Sequence, residues 1–281
     1  AINFYGEPEK KISITHLPSK TFLKINTKKY KNILQEKDLD KLISQINEKK
    51  IISVDTETSS LNPQEAQLIG ISVSYGPNIS FYIPIGHTNV NCLKKDFVLS
   101  KFKPILEDES IKKVGQNIKY DYIIFKKYDI ELASIEDTLL LSYTLDAGNN
   151  RHNMDTLSEI HLGHKTISYK DLVGTGKKQL NFSDVSLEKA TEYAAEDADV
   201  TLRLYEVLSE RVDKEKLNKI YEVFEKPMIK ILSKLETNGI KVDDSYLKTL
   251  SSKFSSRLNT IEKEIYKLSG KEFNIGSPKQ L

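Results

Sequence analysis

The sequence predicts an α/β protein: a central mixed sheet flanked by helices, followed by a helical segment. Three observations predict it. Residues 51 to 85 alternate apolar and polar side chains in three short runs. The next hundred residues mix short apolar runs with helical periodicity. The last part of the chain carries helical periodicity alone. Strands followed by mixed elements pack as a layered sheet, because each apolar face must be covered by another element.

The elements follow in order. Residues 1 to 20 show no clean period and read as a tail or linker. In Lys37 to Lys49, Leu39, Leu42, Ile43 and Ile46 fall at helical spacing. Ile51-Ile52-Ser53-Val54 is a short buried-strand run. From Leu68 to Tyr75, Ile69, Ile71, Val73 and Tyr75 share one face. Gly76-Pro77-Asn78 signals a turn, and Phe81 and Ile83 alternate after it, so 51 to 85 reads as a three-stranded meander. Phe97 to Leu106 predicts a helix and Lys112 to Gly115 a fourth strand. A helix is expected from Ile118 to Tyr128 with Asn117 as its N-cap. A fifth strand near Leu132 to Ile135 and a helix from Asp137 follow.

Gly148 to Ser186 reads as loop-rich. Ser186 is expected to cap a long helix whose stripe is Leu187, Ala190, Ala194, Ala198, Leu202 and Tyr205. Beyond Lys214, residues 215 to 281 read as two long amphipathic helices, broken at Glu236-Thr237-Asn238-Gly239.

Composition narrows the function. Of 281 residues, 29% are charged, yet 42 basic and 40 acidic side chains leave a net charge of only +2. That balance argues against a strongly basic nucleic-acid coat, though not against a local groove. The lysine-rich run Lys20 to Lys31 reads as a solvated face. Cys92 is the only cysteine, so no internal disulfide and no cysteine zinc cluster can form. No apolar run approaches a membrane span. The expected location is cytoplasmic, with no membrane partner.

The chemistry lies in carboxylates placed in apolar surroundings, a costly arrangement unless they are paired or bound to metal. Asp55 and Glu57 are two apart on a strand and share a face. They can grip one cation, and magnesium accepts such oxygen ligands; a turn or helix cap is the plainer reading. Asp121 sits one turn into a predicted helix, where a helix dipole alone favours an acid. Tyr193 and Asp197 are neighbours on one helix face. They form either a half-buried tyrosine–carboxylate pair or a ligand with a water-orienting hydroxyl. Glu196 and Asp199 read as solvated. His161 and His164 lack zinc partners and read as surface residues. Gly174-Thr175-Gly176-Lys177 fails the phosphate-loop pattern, with Asp171 where a glycine and Lys178 where a Ser or Thr is required.

Taken together, these segments resemble a known family. Asp-Thr-Glu-Thr at 55 to 58, Gly-Gln-Asn-Ile-Lys-Tyr-Asp at 115 to 121 and Tyr-Ala-Ala-Glu-Asp-Ala-Asp-Val-Thr at 193 to 201 look like the three exonuclease motifs of the bacterial family-A DNA polymerases. These belong to the tyrosine branch of the DEDD superfamily, which has a ribonuclease H-like fold. Arg151 to Leu157 also matches that domain. Asn238 to Asp243 and Phe273 to Leu281 look like the opening of the polymerase domain.

The resemblance implies an exonuclease domain over 21 to 214 and a truncated N-terminal part of a polymerase domain over 215 to 281. It implies proofreading 3′–5′ hydrolysis of single-stranded or frayed DNA, with no synthesis by this piece. By the same resemblance Asp55, Glu57 and Asp197 hold one divalent cation, and Asp55 and Asp121 a second. Mg2+ is expected, with Mn2+ or Zn2+ possible. Tyr193 places the attacking water. Leu61 and Phe182 match apolar residues that wedge against terminal bases. Gln116, Asn117, Tyr120 and Arg151 match positions along the single-strand path. Expected partners are a single-stranded DNA 3′ end and the rest of a polymerase domain, near the nucleoid. An RNase D-like RNA exonuclease shares the acidic motifs, but the Ser277-Pro278-Lys279-Gln280-Leu281 ending argues against it. A scaffold that has lost catalysis is disfavoured because all four carboxylates remain.

Overall fold

The computed structural model describes residues 23–176 and 179–281. The expected tail, 1 to 20, lies outside these residues, as do Lys177 and Lys178. The chain divides into two compact units, one ending at Thr237 and the other covering Asn238–Leu281.

The first unit is built on a six-stranded sheet of β1 (Lys31–Asn32), β2 (Ile51–Thr58), β3 (Leu68–Gly76), β4 (Ile79–Pro84), β5 (Lys112–Gly115) and β6 (Ile135–Asp137). The strand order is β1-β4-β3-β2-β5-β6. β2, β3 and β4 form the expected antiparallel meander, while β5 runs parallel to β2 and β6 parallel to β5. The sheet is therefore mixed.

Alternation assigns the two faces. Ile52 and Val54 of β2 enter the main core with Leu39, Leu42 and Ile46 of α1 (Glu36–Lys49) and Val98 and Phe102 of α2 (Lys95–Leu106). Ile124 and Phe125 of α3 (Lys119–Lys126) join the same core. Ser53, Asp55 and Glu57 point to the opposite face. There the long α7 (Leu187–Lys214) crosses the sheet. Its Ala190, Ala194, Ala195 and Ala198 are fully buried. Side chains this small let the helix lie close, and the Ser53 hydroxyl donates to the Ala198 carbonyl at 2.6 Å.

The segment expected to be loop holds α5 (Met154–Leu162), the short α6 (Tyr169–Val173) and a 3-10 turn, Phe182–Asp184. Short helices with one apolar turn each leave too little periodicity to be seen. Of the two expected caps, one holds its position without a side-chain bond and the other is displaced. Ser186 precedes α7 but makes no side-chain cap bond. Asn117 is not the cap of α3; that position is Ile118, without a side-chain bond. Asn117 instead takes a left-handed φ of 59°, which asparagine tolerates better than most residues. Asp137 holds this turn. It caps α4 (Thr138–Asp146) through Leu139 N–H, and its two oxygens also accept from Asn117 and Ile118 N–H, each at 3.0 Å.

After α7 the backbone continues through α8 (Asn218–Ile220), a π turn at Tyr221–Glu225, and α9 (Lys226–Asn238). In the second unit, α10 (Asp244–Ser269) is capped by the Asp243 carboxylate, which accepts from Tyr246 N–H at 2.9 Å. None of its residues is buried.

Candidate active site

The carboxylates meet at the C-terminal end of β2, the end of a parallel pair where α/β sheets hold ligands. Asp55 and Glu57 come from β2 and Asp197 from α7, and one oxygen of each lies within 4.8 Å of the others. Glu57 and Asp197 are 7% and 6% exposed. A shift in the β2–β3 register falls between Glu57 and Thr58, so pairing loosens where the site opens. Asp121 arrives from α3, in the other helical layer. Its Oδ1 accepts from Thr56 N–H at 2.9 Å and from the Thr56 hydroxyl at 2.5 Å. Thr56 thus ties the third acidic segment to the strand that carries the first.

Nothing in the described residues neutralises this cluster by direct bonding. Glu57 Oε1 and Asp197 Oδ1 are buried without a hydrogen-bond partner. Burial pushes Asp55 up to about 6, against a bond from Thr56 N–H that lowers it. Burial and then the charge of Asp55 also push Glu57, Asp121 and Asp197 well above the usual carboxylate range. Such shifts mark a site short of positive charge. An all-oxygen donor set with unpartnered buried atoms suits a hard divalent cation. The residues present fit a metal.

Tyr193 sits beside Asp197 and hydrogen-bonds it. Burial, followed by the charge of Asp197, raises the phenol well above its ordinary value. The hydroxyl therefore stays protonated and available as a donor. The Tyr193 ring meets Tyr169 at 6.0 Å and Phe182 at 6.1 Å between centroids.

The remaining expected residues divide by exposure. Leu61 is 95% exposed on the loop after β2. Arg151 and Asn117 are exposed. Gln116 is engaged at both ends: its amide donates to the His152 carbonyl at 2.8 Å and its oxygen accepts from the Thr138 hydroxyl at 2.5 Å. The Tyr120 hydroxyl donates to the Ser60 carbonyl at 2.6 Å and meets the Thr58 hydroxyl, which fixes the loop bearing Leu61. Phe182 is 1% exposed and has no free face for a base. The ring with a solvent face is Tyr169, 40% exposed and stacked on Phe182 at an interplanar angle of 5°. The sequence offered no signal for Tyr169, which lies in the segment read as loop.

Two expectations for α7 are corrected. Asp199 and Glu196 are not solvated; they are 0% and 1% exposed. Asp199 receives Arg203 Nε at 2.9 Å and the Tyr30 hydroxyl at 2.7 Å. Glu196 pairs with His164, which is therefore not a plain surface residue. His161 likewise has a buried, unpartnered Nε2. A helix buried on most of its circumference needs partners for its acids on every side.

Comparison with known proteins now bears on this geometry. A family model described as 3′–5′ exonuclease matches residues 30–213. DNA polymerase I of Rhizobium leguminosarum is 43% identical over 263 residues, covering 86% of this chain and 26% of its own. DNA polymerase I of Pseudomonas aeruginosa is 38% identical over 259 residues, covering 90% and 28%. The chain thus spans about a quarter of these relatives' length. Among solved structures, the POL domain of Pol1 from M. smegmatis, in complex with DNA primer-template and dNTP, superposes with a TM-score of 0.67 at 19% identity, over 88% of this chain and 39% of that one. Brucella melitensis NrnC gives 0.58 at 21% identity, over 77% and 96%. These two likenesses establish the fold. By the span of the family match and by its DNA polymerase I relatives, the chain belongs to the 3′–5′ exonuclease family, in the branch carried by DNA polymerase I.

Proposed function

We propose that this chain hydrolyses the 3′-terminal phosphodiester of single-stranded or frayed DNA, as the proofreading part of a DNA polymerase I-type enzyme. The observation that carries the reading is the cluster of Asp55, Glu57 and Asp197, with two buried oxygens left unpartnered. Asp55, Glu57 and Asp197 hold one divalent cation, and Asp55 and Asp121 a second. Mg2+ is the proposed ion, with Mn2+ or Zn2+ as alternatives; NrnC, of the same fold, is also known with bound Mg2+. When bound, two such ions supply a Lewis acid and an activated water for in-line displacement.

The side chains do the rest. The Tyr193 hydroxyl, held by Asp197, orients the attacking water. Tyr169 and Leu61 offer apolar faces to the terminal bases, and stacking of this kind accepts any base. Mispaired ends cost less to unstack and enter first. Asn117 and Arg151 face the strand path, while Gln116 and Tyr120 shape its walls from within. In this reading residues 21 to 214 are the exonuclease domain. Residues 215 to 281 open a polymerase domain whose remainder is the natural partner, in the cytoplasm beside the nucleoid.

A 5′-labelled single-stranded DNA incubated with Mg2+ or with chelator tests it. The expected result is a descending ladder that needs metal and vanishes in Asp55→Ala/Glu57→Ala. Degradation that persists in the double variant refutes the site. A strong preference for RNA of the same sequence refutes the substrate.

A further inference from the structure

Glu196 lies next to a metal-binding carboxylate in sequence but is committed elsewhere. It is 1% exposed. Its Oε1 accepts from His164 Nε2 at 2.9 Å and its Oε2 from Ile167 N–H at 2.6 Å. Both oxygens are engaged, which leaves little capacity for a cation. What the carboxylate grips is one short segment, 164 to 167, lying between α5 and α6.

That segment has two further ties. The Ser158 hydroxyl donates to the His164 carbonyl at 2.8 Å, and the Thr166 hydroxyl to Asp155 Oδ1 at 2.6 Å. Directly after it, Ser168 caps α6 through Asp171 N–H, and Tyr169 is the first residue of that helix. Only one bonded residue therefore separates the Glu196 clamp from the exposed ring. Among the described residues the Tyr169 hydroxyl makes no side-chain hydrogen bond that would hold it independently; its ring rests on Phe182 and against Tyr193.

We propose that Glu196 is a positioning residue for the base-stacking ring: by clamping segment 164–167 to α7, it sets Tyr169 at a fixed place relative to Asp197, which follows it on the same helix. The inference rests on the exonuclease reading for the nature of the ligand, a 3′-terminal nucleotide. One helix then delivers both the group that holds metal and the clamp that places the terminal base. Distance between the two is fixed by a backbone, not by a loop. A carboxylate accepts from both donors at once, whereas alanine accepts from neither, so Glu196→Ala releases segment 164–167; glutamine can keep both contacts if His164 Nε2 becomes the acceptor.

The test uses the whole chain and a single-stranded DNA with 2-aminopurine at its 3′ end, whose fluorescence falls when the base stacks. Binding is read in chelator, hydrolysis in Mg2+, and the metal site by the Mn2+-induced rise in melting temperature. Glu196→Ala is expected to lose most of the quenching and to raise KM about tenfold, a change in the range of one lost base–aromatic contact. Its kcat and its Mn2+ response should stay near wild type. Tyr169→Ala should show the same defect, and the double variant no more than either alone. His164→Ala, altering a part-exposed partner and keeping the Ile167 bond, should give a milder form of it. The proposal is overturned if Glu196→Ala abolishes the Mn2+ response, if it lowers kcat at unchanged KM, or if its effect and that of Tyr169→Ala simply add. Quenching needs no cleavage, so a quenching loss confined to the variants supports the clamp even where a failed hydrolysis assay has refuted the exonuclease reading.

Discussion

Replacing Tyr193 with phenylalanine removes one oxygen and leaves the ring between Tyr169 and Phe182. The lost bond is the one to Asp197, worth about 1 kcal/mol of stability at most sites. If the hydroxyl orients the attacking water, kcat should fall about a hundredfold, the low end for a positioned proton-bearing group. KM for DNA should barely move. Steady-state hydrolysis beside a thermal melt separates the two effects, and an unchanged kcat sinks the assigned role. At this scale the sequence was a good guide to the carboxylates, since Asp55, Glu57 and Asp197 sit on a strand and a helix whose periods fix their faces. It was a poor guide to Glu196 and Asp199. They occupy the same helix, and helical offset shows direction without showing what packs there. Arg203 comes from the next turn of the same helix, and Tyr30 and His164 from distant segments. Phe182 is hard to read for the same reason: an apolar ring is equally suited to a core and to a base, and Tyr169 covers it here.

Strand β3 shows how one missing side chain shapes an element. Gly70 lies opposite Glu57 in the β2–β3 ladder. A Cβ there would stand 2.2 Å from the Tyr82 hydroxyl and 2.3 Å from its ring. Tyr82 is fully buried and bonded to His87 Nε2 at 2.8 Å, so it has nowhere to retreat. Gly70→Ala should therefore cost about 1–3 kcal/mol, the usual range for overpacking, and weaken Mn2+ binding by disturbing Glu57. Gly76→Ala is the control, because its nearest neighbour would be Ile79 Cδ1 at an ordinary 3.5 Å. Equal melting temperatures for the two variants would refute the packing account. The meander itself was legible from alternation of apolar residues, and so were α1, α2 and α7 from their stripes. The turn at Asn117 was not. Asn before an apolar run reads as a cap, but Asp137, twenty positions on, takes that backbone into a left-handed turn. Long-range bonds of this kind leave no trace in a local pattern.

Charge is where the first unit responds as a whole. In the metal-free chain Asp55 and Asp137 are both pushed by burial to about 6, and Glu57, Asp121 and Asp197 are raised further. Unfolded carboxylates titrate near 4. A folded-state pKa above the unfolded one contributes stability that is full below about pH 4 and is lost as pH rises through about 6. His87 and His161 act in the opposite sense. Burial lowers both, so their contribution is intact above about 6.5 and is lost as pH falls. With Glu196 also raised by burial, six such carboxylates outweigh the two imidazoles and Glu107, Asp108, Glu131 and Asp243, whose hydrogen bonds lower them. In chelator the melting temperature should therefore be higher at pH 5.5 than at pH 8, against the habit of most proteins. Excess Mg2+ or Mn2+ should raise the pH 8 value most, because a cation binds the deprotonated folded form and stabilises it by mass action. The pH slope in chelator should shrink in Asp55→Asn/Glu57→Gln, which removes two of the repelling charges. A melt that falls on acidification from pH 8, or a slope untouched by that double variant, would show that the carboxylate cluster is not where the fold stores its electrostatic strain.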